Sequence, residues 1–244
     1  MRVIEIASVN STNTWLAEHS RELELPGMVY ALEQTAGRGQ RGNSWESEPG
    51  KNLTASVAMV PEGVEAARQF VISEAVALAV ADLLADQGVD AKVKWPNDIY
   101  VGDKKICGIL IEHSLMGHTI KRTIAGIGIN INQETFVSDA PNPVSLRQLT
   151  GKEYSIAEMA RLLGEKIEAR MAQTAEGDRL HREFLSRLWR ADGRMYPFRD
   201  VKRGEEIMAR IESVAADGIL TLMTRDGELR DYAFKEVQFR PEDL

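Results

Sequence analysis

The string Gln34-Thr35-Ala36-Gly37-Arg38-Gly39-Gln40-Arg41-Gly42-Asn43-Ser44-Trp45 combines residue types that handle anions. Gly37, Gly39 and Gly42 allow positive φ, so several backbone N–H groups can converge on one point. Arg38 and Arg41 add fixed positive charge suited to a phosphate or a carboxylate. A plain surface hairpin is the competing reading. Two arginines and a tryptophan set so close to three glycines favour a ligand loop. No Gly-Lys-Ser/Thr follows, so the loop is not a Walker A motif.

Three further strings carry chemistry. In Lys94-Trp95-Pro96-Asn97-Asp98, Pro96 fixes a turn at which Asn97 and Asp98 present short polar side chains. Asp98 can orient a nucleotide or hold Mg²⁺ through water; taken alone, the string reads equally as an Asx-turn. In Lys104-Lys105-Ile106-Cys107-Gly108-Ile109-Leu110-Ile111-Glu112, Lys105 enters an apolar run, where its ammonium must reach solvent or meet an anion. Cys107 reads as a small buried hydrophobe, since no His partner is evident. His113 and His118 read as structural or surface residues. In Gly126-Ile127-Gly128-Ile129-Asn130, period-two alternation points the isoleucines one way and Gly126, Gly128 and Asn130 the other. A strand face paved with glycine leaves room for something to lie against it. The Asn130 amide can then reach a ligand or a metal-bound water, or the strand simply packs closely under a helix.

The elements that position these strings follow from periodicity. Strands are expected at 2–7, 28–33, 53–60, 89–94, 105–113 and 119–131. Ser11, Thr12 or Asn13 can cap a short helix through Trp15, Leu16 and Ala17. The clearest helix is 66–87, with Ile72, Val76, Ala79, Val80, Leu83 and Leu84 at three- and four-residue steps and Gly88 just beyond it. Helices are also expected at 155–171 and 181–189. Beyond about residue 192 the texture changes to short strands at 206–214, 218–224 and 228–234, separated by Asp217-Gly218 and Asp226-Gly227 turns. The expected fold is α+β: a mixed sheet with helices over 1–190, then a small SH3-like β-barrel over 191–244.

Composition sets the outer limits. The 244 residues, 43% hydrophobic and 27% charged, suit an ordinary globular chain of one or two domains. One cysteine excludes an internal disulfide framework, and four scattered histidines argue against a zinc site. No apolar run is long enough to span a membrane and residues 1–13 do not read as a signal peptide, so a cytoplasmic location is expected. A net charge of −7 argues against broad binding to nucleic acid but leaves room for a local basic pocket.

Together, in this order and spacing, the four strings resemble the biotin–protein ligases (biotin–[acetyl-CoA-carboxylase] ligases) over essentially the whole chain. Ser11-Thr12-Asn13 after the first strand fits the same family, as does the C-terminal β segment. The chain starts at the first catalytic strand, which suggests the class without an N-terminal DNA-binding domain. The resemblance implies ATP and Mg²⁺, biotin as substrate, and transfer through biotinyl-5′-AMP to a lysine of a biotin carboxyl carrier protein. It implies that Ser11, Thr12, Asn13, Gln34, Gly37, Arg38, Gly39, Gln40, Lys105 and Gly108 surround biotin. Arg38, Arg41, Trp45, Lys94, Asn97, Asp98 and Asn130 would surround ATP and the adenylate, with Mg²⁺ near Asp98 and Asn130. Lys105, Arg38 and Asp98 would carry the chemistry, and the glycine loop would close as a lid. The family's loop usually reads Gly-Arg-Gly-Arg; here Gln40 replaces the second Arg and Arg41 follows. Alternatives are a lipoate or octanoate enzyme of similar fold and a non-catalytic biotin-binding regulator.

Overall fold

The computed structural model describes residues 1–20, 22–40, 43–137 and 142–240. A seven-stranded sheet runs in the order β1 (Arg2–Val9), β2 (Gly27–Gln34), β3 (Leu53–Met59), β7 (Thr119–Ile129), β6 (Lys104–Met116), β5 (Asp98–Val101) and β4 (Lys92–Lys94). Only the β1–β2 pair is parallel. Alternation sorts the strands' side chains into two faces. Leu53, Ala55, Val57, Ala125, Ile127 and Ile129 join the main core. Helix α2 (Phe70–Asp86) is buried on nearly every side within that core, and α4 (Ile156–Met171) lies against it. The opposite face carries Thr54, Ser56, Gly126 and Gly128. There Leu16 of α1 (Thr12–His19) packs with Val29, Ala58 and Ile124.

Several element ends differ from the sequence reading for local reasons. The 66–87 helix opens as a separate 3-10 turn, Ala66–Arg68, and Ala66 N–H, which no helix would satisfy internally, donates to His118 O. At its other end Gly88 adopts φ +82° and Val89 N–H returns to Leu84 O, a helix-closing pattern that keeps residues 89–91 out of the expected strand. Helix α3 (Leu146–Thr150), with its Ser145/Gln148 capping box, follows from a signature that the sequence reading passed over. Helix α5 is Gly177–Ser186 rather than 181–189, because residues 187 and 189 bond across to Val93 instead of continuing the helix.

Strands β5, β8 (Tyr196–Asp200) and β12 (Val237–Phe239) were not expected; β5 and β12 are too short to show a period. The C-terminal sheet is antiparallel and five-stranded: β11 (Leu229–Tyr232), β10 (Leu220–Thr224), β9 (Glu205–Val214), β8, β12. It is keyed into the first sheet's helices. Trp95 Nε1 donates to Gly218 O at 3.0 Å, and Phe234 meets both Trp95 and Phe70 edge-on. Among the described residues, no helix is long and apolar enough to cross a membrane.

Candidate active site

The glycine-bearing face holds a cavity of about 730 Å³. Ser11, Thr12, Asn13, Gln34, Arg38, Gly39, Gln40, Trp45, Asn97, Asp98, Lys105, Gly108 and Asn130 all line it. Four stretches far apart in sequence thus meet at one surface. Gly37 and Lys94 stand outside the lining, and Arg41 lies outside the described residues.

Strand β7 provides a scale along the floor. Gly126 pairs with Ser56 of β3, and Gly128 with Thr54 and, on the other side, Gly108 of β6. From Gly126 to Asn130 the chain advances about 13 Å at strand rise. The glycines are occupied by the protein's own side chains. A Cβ at Gly126 would stand 2.4 Å from Asn13 Oδ1, and one at Gly128 would stand 2.3 Å from Trp45 Cε2. The expectation that something lies against the glycines therefore holds, with Asn13 at one position and the Trp45 indole at the next.

At the Gly126 end the polar groups interlock. Thr12 donates from both N–H and Oγ1 to Gln34 Oε1, at 2.9 and 3.1 Å. Ser56 Oγ lies 2.7 Å from Thr12 Oγ1 and 2.5 Å from Asn13 Oδ1, and its single proton serves one of them. Asn13 Nδ2 donates to Glu112 Oε2 at 2.8 Å, and Arg38 Nη2 meets the same oxygen at 3.1 Å. Ser56 and Glu112 were not picked out from sequence. Ser56 had a signal: Thr54 and Ser56 alternate with Leu53, Ala55 and Val57, marking a polar stripe on an otherwise apolar strand. Glu112 lies within β6, four residues before its end, without any pattern of its own.

At the other end Lys105 Nζ pairs with Asp98 Oδ1 at 2.7 Å, both side chains about one-fifth exposed. Lys105 Nζ also lies 5.8 Å from the centre of the Trp45 ring. Asn97 Nδ2 donates to Ile109 O at 2.6 Å while Ile109 N–H donates to Asn97 O at 3.0 Å, which clamps the β4–β5 turn to β6. Asn130 Nδ2 donates to Val144 O at 3.2 Å. The Trp45 Nε1 hydrogen is buried with no partner among the described residues. A buried donor of this kind is costly unless a ligand oxygen reaches it.

Lys94 of β4 pairs directly with Asp98 of β5. Its Nζ donates to Tyr100 Oη at 2.8 Å and lies 5.4 Å from the ring centres of both Trp189 and Phe239. Burial brings its pKa down to about 8; the Asp98 charge opposes that shift, and Lys105 and Arg190 add to it. Cys107 points into the core, fully buried, and burial pushes its thiol well above the usual range. That suits a packing residue and not a thiolate nucleophile. His113 is half-buried on Thr123 Oγ1 at 2.9 Å, as expected of a structural residue.

No cluster of three or more His, Cys, Asp or Glu side chains able to hold a metal occurs among the described residues. Asp98 and the Asn130 amide are the oxygen donors near the Lys105 end of the cavity. Such a sparse set fits magnesium that arrives on nucleotide phosphates better than a caged ion.

Comparison with known proteins shows the family. Residues 5–130 match the model of the Biotin/lipoate A/B protein ligase family. The biotin–[acetyl-CoA-carboxylase] ligase of Paracoccus denitrificans is 30% identical over 92% of this chain and 91% of its own. The bifunctional ligase/repressor BirA of Escherichia coli strain K12 is 36% identical over 124 residues, half of this chain and 38% of that protein. The chain thus spans about two-fifths of the length of the ligase/repressor relatives it matches. In fold it is similar to the Aquifex aeolicus biotin protein ligase in complex with biotin and ATP, with a TM-score of 0.81 at 23% identity and 98% of both chains covered. From the family match over residues 5–130 and the near full-length alignment with the Paracoccus protein, the chain belongs to the biotin/lipoate A/B protein ligase family.

Proposed function

We propose that this chain is an ATP-dependent biotin–protein ligase, working in the cytoplasm on a lysine of a biotin carboxyl carrier protein. In the first step a biotin carboxylate oxygen attacks the α-phosphorus of ATP. The bond to the β-phosphate oxygen breaks, and biotinyl-5′-AMP and pyrophosphate result. In the second, a lysine amine attacks the anhydride carbonyl, the carbonyl–phosphate bond breaks, AMP leaves and the amine gives up a proton. We read residues 1–190 as the catalytic unit and 191–244 as its β module.

One observation carries the reading: a single cavity holds a hydrogen-bonding polar cluster with the cation Arg38 at its Gly126 end and a second cation, Lys105, further along the same floor. The polar cluster suits an uncharged, amide-like ring. The cations suit a carboxylate and a phosphate that must approach despite their like charge. Arg38 and Lys105 each lean on a carboxylate, Glu112 and Asp98, yet each retains further N–H groups for substrate oxygens. Holding both substrates on one floor can itself lower the barrier by several kcal/mol. Magnesium, when bound with ATP, would neutralise phosphate charge, with Asp98 the carboxylate best placed to meet it. Trp45, with its unpaired indole N–H beside Lys105, is placed for the nucleotide end.

Two other readings fare worse. An octanoyl transferase needs an accessible thiolate, and the only cysteine, Cys107, is sealed in the core. A regulator without catalysis has no use for two cations poised on one floor. The test is pyrophosphate release with ATP and Mg²⁺, adding biotin or lipoate separately and detecting the acyl-adenylate by mass spectrometry. Biotin-dependent release with biotinyl-AMP is expected. Release with lipoate alone, or biotin binding without release, would sink the proposal.

A further inference from the structure

A third cation reaches the cavity from the other sheet. Lys235 lines it alongside Lys105, Asp98 and Asn97, although it belongs to the turn between β11 and β12. Ala233 and Glu236 close that turn twice over: Glu236 N–H donates to Ala233 O at 3.1 Å, and Ala233 N–H donates to the Glu236 carboxylate at 2.7 Å. Phe234 anchors the turn, edge-on to Trp95 and Phe70. Trp95 lies three residues before Asp98. Lys235, the neighbour of Phe234, therefore enters at the Asp98 end of the floor and not at the Gly126 end.

Two features set Lys235 apart. Its φ is +72°, the left-handed region in which a turn favours glycine. A lysine held there carries backbone strain that glycine would avoid, which points to a use for its side chain. The second feature is its lack of a partner. Arg38 and Lys105 each hold a carboxylate, Glu112 and Asp98, whereas Lys235 forms no ion pair among the described residues. It stands half-buried on the cavity wall with its charge uncommitted.

The reaction says what such a charge would meet. Attacking and leaving oxygens lie roughly in line across the phosphorus. The biotin carboxylate comes to the α-phosphorus from the Gly126 end, so pyrophosphate departs past Lys105 and Asp98, away from Gly126. Arg38 and Lys105 serve the carboxylate and the α-phosphate. The β- and γ-phosphates, which carry most of the charge of ATP, need a cation further along that line. A lysine suits them, as a point charge on a flexible stem.

We propose that Lys235 binds the β- and γ-phosphates of ATP and holds the pyrophosphate as it leaves. The C-terminal sheet thus supplies a phosphate-binding residue to the first step and nothing to the adenylate, which has lost those phosphates. The inference rests on the ligase reading above.

Three variants test it. Lys235→Gln removes the charge, Lys235→Gly removes the side chain while suiting the positive φ of the turn, and Lys235→Arg keeps the charge. In biotin-dependent pyrophosphate release, KM for ATP should rise tenfold or more in the first two and stay within threefold in the third. KM for biotin should stay within twofold in all. In the reverse direction, ATP formation from biotinyl-AMP should need tenfold more pyrophosphate in Lys235→Gln and Lys235→Gly. Transfer from supplied biotinyl-AMP to the carrier domain of acetyl-CoA carboxylase, without ATP, should stay within twofold. KM for ATP and for pyrophosphate within twofold in both of these variants would overturn the inference and leave the ligase reading intact. An equal loss in transfer from biotinyl-AMP would overturn it as well, since no outer phosphate is present in that step. If the unaltered protein releases no pyrophosphate with biotin, the ligase reading falls and this inference falls with it.

Discussion

Lys105 Nζ lies 2.7 Å from Asp98 Oδ1 across the β5–β6 boundary, a cation already held by a carboxylate on the wall of the site. The pair fixes where the ammonium points and keeps it from extending into solvent. The Lys105→Ala variant should therefore lose adenylate formation by about 100-fold or more, the scale of removing one preorganised charged donor from a developing anion. Biotin-dependent pyrophosphate release measures it; a near-normal rate would refute the assignment.

Arg38 depends on Glu112, which also holds Asn13. Arg38→Ala should slow adenylate formation and hasten loss of the bound adenylate. Glu112→Gln retains the shape but removes the charge that both partners share, so it should raise KM for biotin several-fold with a smaller change in kcat. Steady-state kinetics of the two variants distinguish these effects.

Gly126 and Gly128 lie two residues apart on one strand, yet substitution should separate the two substrates. Gly126→Ala drives a methyl into Asn13 Oδ1, and Gly128→Ala drives one into the Trp45 ring. The first should chiefly raise KM for biotin and the second KM for ATP. Equal effects on both substrates would show that the two positions do not report separate subsites.

Lys94 offers a test by pH. Burial depresses its pKa to about 8, so the unfolded chain binds more protons than the folded one between that value and the ordinary lysine pKa. Stability contributed at this position rises with pH through that window and is lost as pH falls through about 8. The stability gap between the unaltered protein and Lys94→Met should therefore move in favour of the unaltered protein from pH 8 to 10. Chemical denaturation at several pH values measures it; a constant gap would mean that the site does not titrate there.

Gln40 lines the cavity. It lacks the guanidinium fork that the family's loop usually places there. Gln40→Arg should slow adenylate dissociation, as read by release of labelled biotinyl-AMP; an unchanged rate would dismiss the idea.

Much of the site was legible because its residues carry unusual demands: glycine in a strand, lysine in an apolar run, arginine between glycines. Those anomalies identified Gly126, Gly128, Lys105 and Arg38 without knowledge of the fold. Ser56 and Glu112 escaped because their importance comes from what lies across the sheet, and pairing between β3, β6 and β7 is non-local. Lys94 was assigned to the nucleotide through the family resemblance alone; in the structure its ammonium donates to Tyr100 Oη and lies near the Trp189 ring. Helix α2 was clear from its period, but its start shifts to Phe70 behind a separate 3-10 turn and its end is set by the turn at Gly88. Strands β5 and β12 span four and three residues, too few for any alternation to register.

The contact of Gly218 with Phe70 and Trp95 bears on how such a protein can be recombined. A chimera that exchanged the C-terminal sheet for that of another family member would meet the seven-stranded sheet's portion through an aromatic lock and would need residues 70, 95, 218 and 234 to travel together. Excision would strip Phe70 and Trp95 of Phe234 and Trp189 of Phe239, exposing aromatic surface to water. Substitutions at these positions should therefore be inherited as a set, and the two sheets should melt as a single transition.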